Sequence, residues 1–153
     1  MINIYFAGPL FSMAEKHFNI ALSRELTTTY RDYFSVFLPQ NECFSITDHK
    51  KIANICKAGI DNCDVVMAVT DGSDCDSGTA WEIGYSYEKK PIVLLRTDFR
   101  KNLDSGAFNL MLSSFTSSIV EYQGDSIEEL GKILYPVLER TYSDFYEVSP
   151  KSE

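Results

Sequence analysis

Cysteine, histidine and tryptophan are scarce in these 153 residues: four, two and one, respectively. No two cysteines are spaced CxxC, and His17 and His49 belong to no ligand-like cluster, so the pattern of a structural zinc site is missing. No metal is expected. No apolar run is long enough to span a bilayer, and the opening MINIYFAGP lacks the basic stretch of a secretory signal. Positive charge is short too, with 14 Lys and Arg against 22 Asp and Glu and a net charge of −8. That balance argues against polymeric nucleic acid, itself a dense line of negative charge. A small nucleoside or nucleotide stays open, because a local site can hold one whatever the overall charge. The few cysteines read as reduced thiols of a cytoplasmic protein with no membrane contact.

Several catalytic signatures are absent as well. The first apolar run ends in AGPLF rather than GxGxxG, and there is neither a phosphate-binding P-loop nor a GxSxG nucleophile turn. Internal repeats and linkers are also missing. With 44% hydrophobic residues, 1–153 reads as one domain able to bury its own core, with 142–153 as a surface tail or interface arm.

What is present alternates between strand and helix. Ile2–Phe6 is a β-rich run that stops at Ala7-Gly8-Pro9. Ser12 and Glu15 then form a capping-box pattern ahead of a helix whose apolar stripe is Phe18, Leu22 and Leu26. Phe34–Leu38 reads as a second strand closed by Pro39, and His49–Asn62 as a second helix. Asp64–Val69 and Pro91–Leu95 are continuous apolar runs, the pattern of strands buried on both faces. Between them an acidic loop, Asp71–Asp76, leads into a helix over Ser77–Glu88. A short helix is expected near Phe108 and a last strand over Ser118–Tyr122. A closing helix opens with the Ser126/Glu129 capping box, and Pro136 inside it should kink it or break its hydrogen-bond ladder. The alternation predicts a doubly wound α/β sheet of about five mainly parallel strands with helices on both faces. Ligands of such sheets collect at the carboxyl ends of the strands. That rule selects Tyr5–Phe11, Pro39–Asn41, Asp71–Asp76 and Arg96–Arg100.

The chemistry on those loops is mostly carboxylate. Asp71, Asp74 and Asp76 suit a solvated loop before a helix start, where negative charge is favoured. Glu82 stands among apolar neighbours, with Gly78 one turn earlier on the same face. It reads either as an ordinary helix-surface glutamate or as a carboxylate in a partly apolar pocket, able to act as nucleophile or acid. Attack on a sugar's anomeric carbon calls for such a group, with a second acidic group for the departing base.

From its first residues to about Met111 the chain resembles the nucleoside 2-deoxyribosyltransferase family. The segments that carry the resemblance are Ile4–Phe11, Asp64-Val65-Val66, Asp71-Gly72, DSGTAWEIGY over Asp76–Tyr85, Lys90–Val93, Arg96–Arg100 and Asn109-Leu110-Met111. The resemblance implies a flavodoxin-like (Rossmann-like) fold and exchange of bases on 2′-deoxynucleosides through a covalent deoxyribosyl-glutamate, without a cofactor. It places the nucleophile at Glu82, Asp76 at the sugar and base side, and Tyr5 where it orients the nucleophile. Gln40 falls at the base edge, and Asn109 where it reaches the 5′-hydroxyl of sugar in a neighbouring subunit. A dimer or dimer-based hexamer is thereby implied. Gly8, Phe11, Cys56, Asp71, Gly78 and Met111 complete the implied binding set, with Phe11 and Trp81 as candidate stacking walls. Cys56 is a departure, since many members carry an aspartate eight residues before the position of Asp64; Asp61 should face elsewhere. Alternatives from the residues themselves are a packed strand aromatic for Tyr5, a helix cap for Asn109 and core for Trp81 and Phe11. Arg96 and Arg100 read as phosphate ligands by themselves, and the resemblance implies a structural wall or subunit contact. Two other activities stay open: hydrolysis of (deoxy)nucleosides or nucleoside monophosphates, and nucleoside sensing without turnover. Asn109-Leu110-Met111 favours unphosphorylated substrate.

Overall fold

A computed structural model describes residues 1–98 and 108–147. Its five strands, β1 (Ile2–Ala7), β2 (Phe34–Phe37), β3 (Val65–Val69), β4 (Ile92–Arg96) and β5 (Ser118–Glu121), form one sheet in the order β2-β1-β3-β4-β5. All four pairings are parallel. Six helices connect or follow them: α1 (Met13–Thr28), α2 (Pro39–Glu42), α3 (His49–Asn62), α4 (Ser77–Ser86), α5 (Leu110–Ser114) and α6 (Ile127–Glu147). This is the flavodoxin-like order, in which the sense of strand addition switches between β1 and β3 while every strand stays parallel.

Strand alternation divides the core in two. Ile4, Phe6, Val65, Met67, Val93 and Leu95 point to the face covered by Leu22 and Leu26 of α1 and by Leu130, Leu134 and Leu138 of α6. Tyr5, Ala7, Val66, Ala68, Ile92 and Leu94 point the other way, against Ile60 of α3 and Ile83 of α4. A buried aliphatic side chain of this kind contributes about 1.5–3 kcal/mol. Two-sided burial explains why β3 and β4 carry no polar alternation.

Local chemistry sets the element ends. The Ser12 hydroxyl accepts from the Glu15 N–H at 3.1 Å, while the Glu15 carboxylate accepts from the N–H groups of Ser12 and Phe11 at 2.6 and 2.9 Å. Pro39 ends β2 and also occupies the first turn of α2, a helix the sequence reading does not anticipate. Asn109 caps α5, so the short helix begins after Phe108.

One expectation changes at the C-terminal end, that of a tail starting at Tyr142. Pro136 does not break α6, which continues through it to Glu147. The proline lies on the exposed face, where the carbonyl of exposed Lys132, deprived of its ladder partner, can turn to water. The first six residues of the expected tail are helical, and the Tyr146 hydroxyl donates to the Asp64 carbonyl at 3.1 Å. The rest of that tail, 148–153, lies outside the described residues, as does Arg100. Among the described residues no helix is long and apolar enough to cross a membrane, and no three metal-ligating side chains are grouped.

Candidate active site

The pleat of β1 sends Tyr5 to the α3/α4 face, where it is fully buried and its ring stacks on Phe37 with centroids 5.4 Å apart. Its hydroxyl donates to Glu82 Oε1 at 2.6 Å. Glu82 sits in the second turn of α4, half-buried, seventy-seven residues away in the chain. Asp76 is the N-cap of the same helix: its Oδ2 accepts from the Thr79 N–H at 3.0 Å and from the Thr79 hydroxyl at 3.3 Å. A Cβ on Gly78 would stand 3.1 Å from that oxygen, so the glycine leaves the Asp76 carboxylate its place.

The electrostatics of the pair are opposed. Burial pushes the Glu82 carboxyl up from 4.5 to about 7; the Tyr5 hydrogen bond pulls it down, and the negative charge of Asp76 pushes it up again. Burial first, and Glu82 second, hold the Tyr5 hydroxyl far above its ordinary value. Tyr5 is therefore a permanent donor, and Glu82 is an acid poised near neutrality. With Oε1 held by Tyr5, Oε2 is the oxygen left to react.

Cys56, on α3, is close enough for Tyr5 and Glu82 to perturb it, and burial pushes its thiol up to about 11. It also lines a cavity of about 600 Å³ between α1, α2 and α3, with Leu10, His17, Gln40, Cys43 and Phe44. A second cavity, about 680 Å³, lies between the start of α1 and the loops after β3 and β4 and is lined by Pro9, Glu15, Asn19, Asp71 and Thr97. Glu82 lines neither; Cys56 lines the first and also borders the Tyr5–Glu82 pair.

Other candidates prove to be tied into the scaffold. Asp71 accepts from the N–H groups of Thr97 and Asp98 at 2.6 and 3.0 Å, and from the Thr97 hydroxyl, joining the loops after β3 and β4. Arg96 is buried and donates to the carbonyls of Thr70, Gly72 and Asp98, which is the structural wall rather than a phosphate ligand. The Gln40 amide is occupied at both ends, accepting from Asn19 at 3.1 Å and donating to the Lys16 carbonyl at 3.1 Å. Gly8 packs against Val69, whose Cβ a methyl at that position would meet at 3.3 Å.

Phe11 and Trp81 are not core: they are 73% and 55% exposed. Trp81 stacks on Tyr85 with centroids 5.1 Å apart, on the outer face of α4. Tyr85 donates to Asp61 at 2.7 Å, and Asp61 also pairs with Lys57, so Asp61 does face elsewhere. Asn109 caps α5 by accepting from the Met111 N–H at 3.0 Å, and both side chains are exposed. Asn19 is a site residue that sequence reading missed. It is 2% exposed and donates to the Pro9 carbonyl at 2.9 Å as well as to Gln40, fastening the loop after β1 to α1 and α2. A polar side chain one position past Phe18, beside the apolar stripe of α1, was its signal.

Comparison with known proteins bears on the family and the fold. The sequence model of a family described as nucleoside 2-deoxyribosyltransferase matches residues 4–133. Among solved structures, a conserved protein from Enterococcus faecalis V583 is 27% identical, with 90% of this chain and 99% of that chain covered and a TM-score of 0.71. A 2-deoxyribosyltransferase from Bacillus psychrosaccharolyticus is 22% identical over 84% of this chain and 90% of its own, TM-score 0.64. A CMP N-glycosidase from Clostridium botulinum is 15% identical over 88% and 98%, TM-score 0.60. The last two show a shared fold. No curated protein matches the chain.

Proposed function

The chain belongs to the nucleoside 2-deoxyribosyltransferase family, and from that premise we propose that it exchanges the base of 2′-deoxynucleosides, with Glu82 as the nucleophile. The observation that carries this reading is the 2.6 Å hydrogen bond from Tyr5 to a half-buried Glu82 at the carboxyl end of the sheet. Ionised Glu82 attacks C1′ of the nucleoside through Oε2, the bond from C1′ to the base breaks, and a deoxyribosyl ester of Glu82 remains. Tyr5 fixes the carboxylate through Oε1 and keeps its own proton throughout. Asp76, held at the α4 N-terminus on the same side, is the acidic group that serves the departing and arriving base. A second base then attacks C1′, and Glu82 leaves as carboxylate.

The base is taken to lie towards the cavity bordered by Cys56 and Gln40, and Asn109 and Met111, exposed on α5, to complete the site of a neighbouring subunit in an oligomer. The substrates are small cytoplasmic nucleosides and free bases. The proposal needs no cofactor.

Incubating the protein with deoxyinosine and adenine tests the reading. Deoxyadenosine should form with wild-type protein and not with Glu82→Ala, which should retain its fold by circular dichroism. Free deoxyribose at the same rate with and without adenine would mean that water is the acceptor and would replace transfer by hydrolysis. Undiminished exchange by Glu82→Ala would remove Glu82 from the chemistry.

A further inference from the structure

Two thiols stand together at the rim of the smaller cavity. Cys43 ends α2 and Cys56 lies in α3, and their sulfurs are 4.0 Å apart. Both side chains are partly accessible and both line the same space of about 600 Å³. A disulfide needs the sulfurs at about 2.0 Å. The approach can come from the Cys43 side, because the connection from α2 to α3 is a short run of turns with Ser45 at φ 66° and Phe44 79% exposed.

We propose that Cys43 and Cys56 form a dithiol modification site, which a small disulfide converts into a Cys43–Cys56 bond that disables the neighbouring Tyr5–Glu82 centre. The proposal rests on reading that centre as the reacting one. The Cys43 thiolate attacks the small disulfide, forming a mixed disulfide and releasing one thiol. The Cys56 sulfur then attacks Cys43 Sγ, gives up its proton and displaces the second thiol. In sum, two protein thiols and one small disulfide become one protein disulfide and two small thiols. Burial holds the Cys56 thiol up at about 11, which makes it the poorer first attacker, while its sulfur 4.0 Å from that of Cys43 favours it in the second, intramolecular step.

The consequence follows from placement. Cys56 borders Tyr5, which holds Glu82. Bonding to Cys43 takes the proton from the sulfur that borders Tyr5 and ties the end of α2 to α3 across the cavity. Misplacement by about 1 Å in a reacting constellation costs about 100-fold in rate.

The test treats the whole protein with glutathione disulfide and follows three readouts. Peptide mapping should show a Cys43–Cys56 linked peptide, deoxyinosine–adenine exchange should fall about tenfold or more, and dithiothreitol should restore it. In Cys43→Ser the ratio of treated to untreated rates should stay near one. The third readout is the titration of the Glu82 carboxyl, taken as the infrared difference between wild type and Glu82→Gln, which should move on oxidation. This readout judges the dithiol site even if the reduced protein exchanges no bases, an outcome that would count against the proposed function alone. Absence of the linked peptide, or a linked protein with unchanged Glu82 titration and, where exchange occurs, an unchanged rate, would overturn the proposal.

Discussion

Replacing Glu82 with glutamine should make the protein more stable, and only above the acidic range. In the fold the carboxyl titrates near 7, raised from 4.5 chiefly by burial. In the unfolded chain it is ionised from about 4.5 upwards. Between those two values the folded state holds a proton that the unfolded state has released, so stability falls as pH rises. Above both, the difference levels off at about 3 kcal/mol, an upper bound for a side chain that keeps some contact with water. Glutamine is close to isosteric, and its carbonyl oxygen can still accept from Tyr5, but it carries no charge to desolvate. Urea unfolding near pH 4 should therefore give the same free energy for wild type and Glu82→Gln. Near pH 8 the variant should be more stable by about 2–3 kcal/mol. A difference that does not vary with pH, or a variant less stable than wild type near pH 8, would show that Glu82 is not an acid raised by burial.

Three further outcomes are expected. Tyr5→Phe removes the hydrogen bond that holds the Glu82 carboxyl down, so the rise of exchange rate with pH, centred near 7 in wild type, should move upward by about one pH unit; an unmoved profile would contradict the coupling. Asp71→Ala frees the Thr97 and Asp98 amides and should cost about 2–3 kcal/mol in urea unfolding, because three hydrogen bonds across two loops are lost. Gly59→Ala would put a methyl 2.7–3.0 Å from the Phe37 ring on which Tyr5 stacks, and should cost about 1–3 kcal/mol while slowing exchange; a neutral substitution would mean the ring moves freely.

The sheet was legible because its strands are buried on both faces. Apolar runs such as Asp64–Val69 and Pro91–Leu95 have few other uses in a chain of this kind, and the helices between them carry their own capping residues. Helix α2 was hidden because Pro39 ends a strand as readily as it starts a helix. Continuity through Pro136 depended on which face the proline would take, a matter of tertiary packing. At the site, Glu82 stood out by its apolar neighbours, but its role and that of Tyr5 came from the family resemblance, since Tyr5 by itself reads as a packed strand aromatic. Their contact joins residues far apart in sequence and follows from β1 and α4 sharing one face of the sheet. The ties on Asp71 and Gln40 come from Thr97, Asp98, Asn19 and Lys16, partners that no local pattern brings together. The same is true of the thiols of Cys43 and Cys56, which meet only when α2 folds against α3.

The central claim is that Glu82 itself carries the sugar between bases. Its most direct test is to mix the protein with a 2′-deoxynucleoside in the absence of acceptor base, quench in acid and map the peptides by mass spectrometry. One deoxyribosyl group should be found on the peptide containing Glu82, should disappear when adenine is added before the quench, and should be absent from Glu82→Gln. Exchange by the wild type with no sugar on that peptide, or with the sugar on another residue, would contradict it.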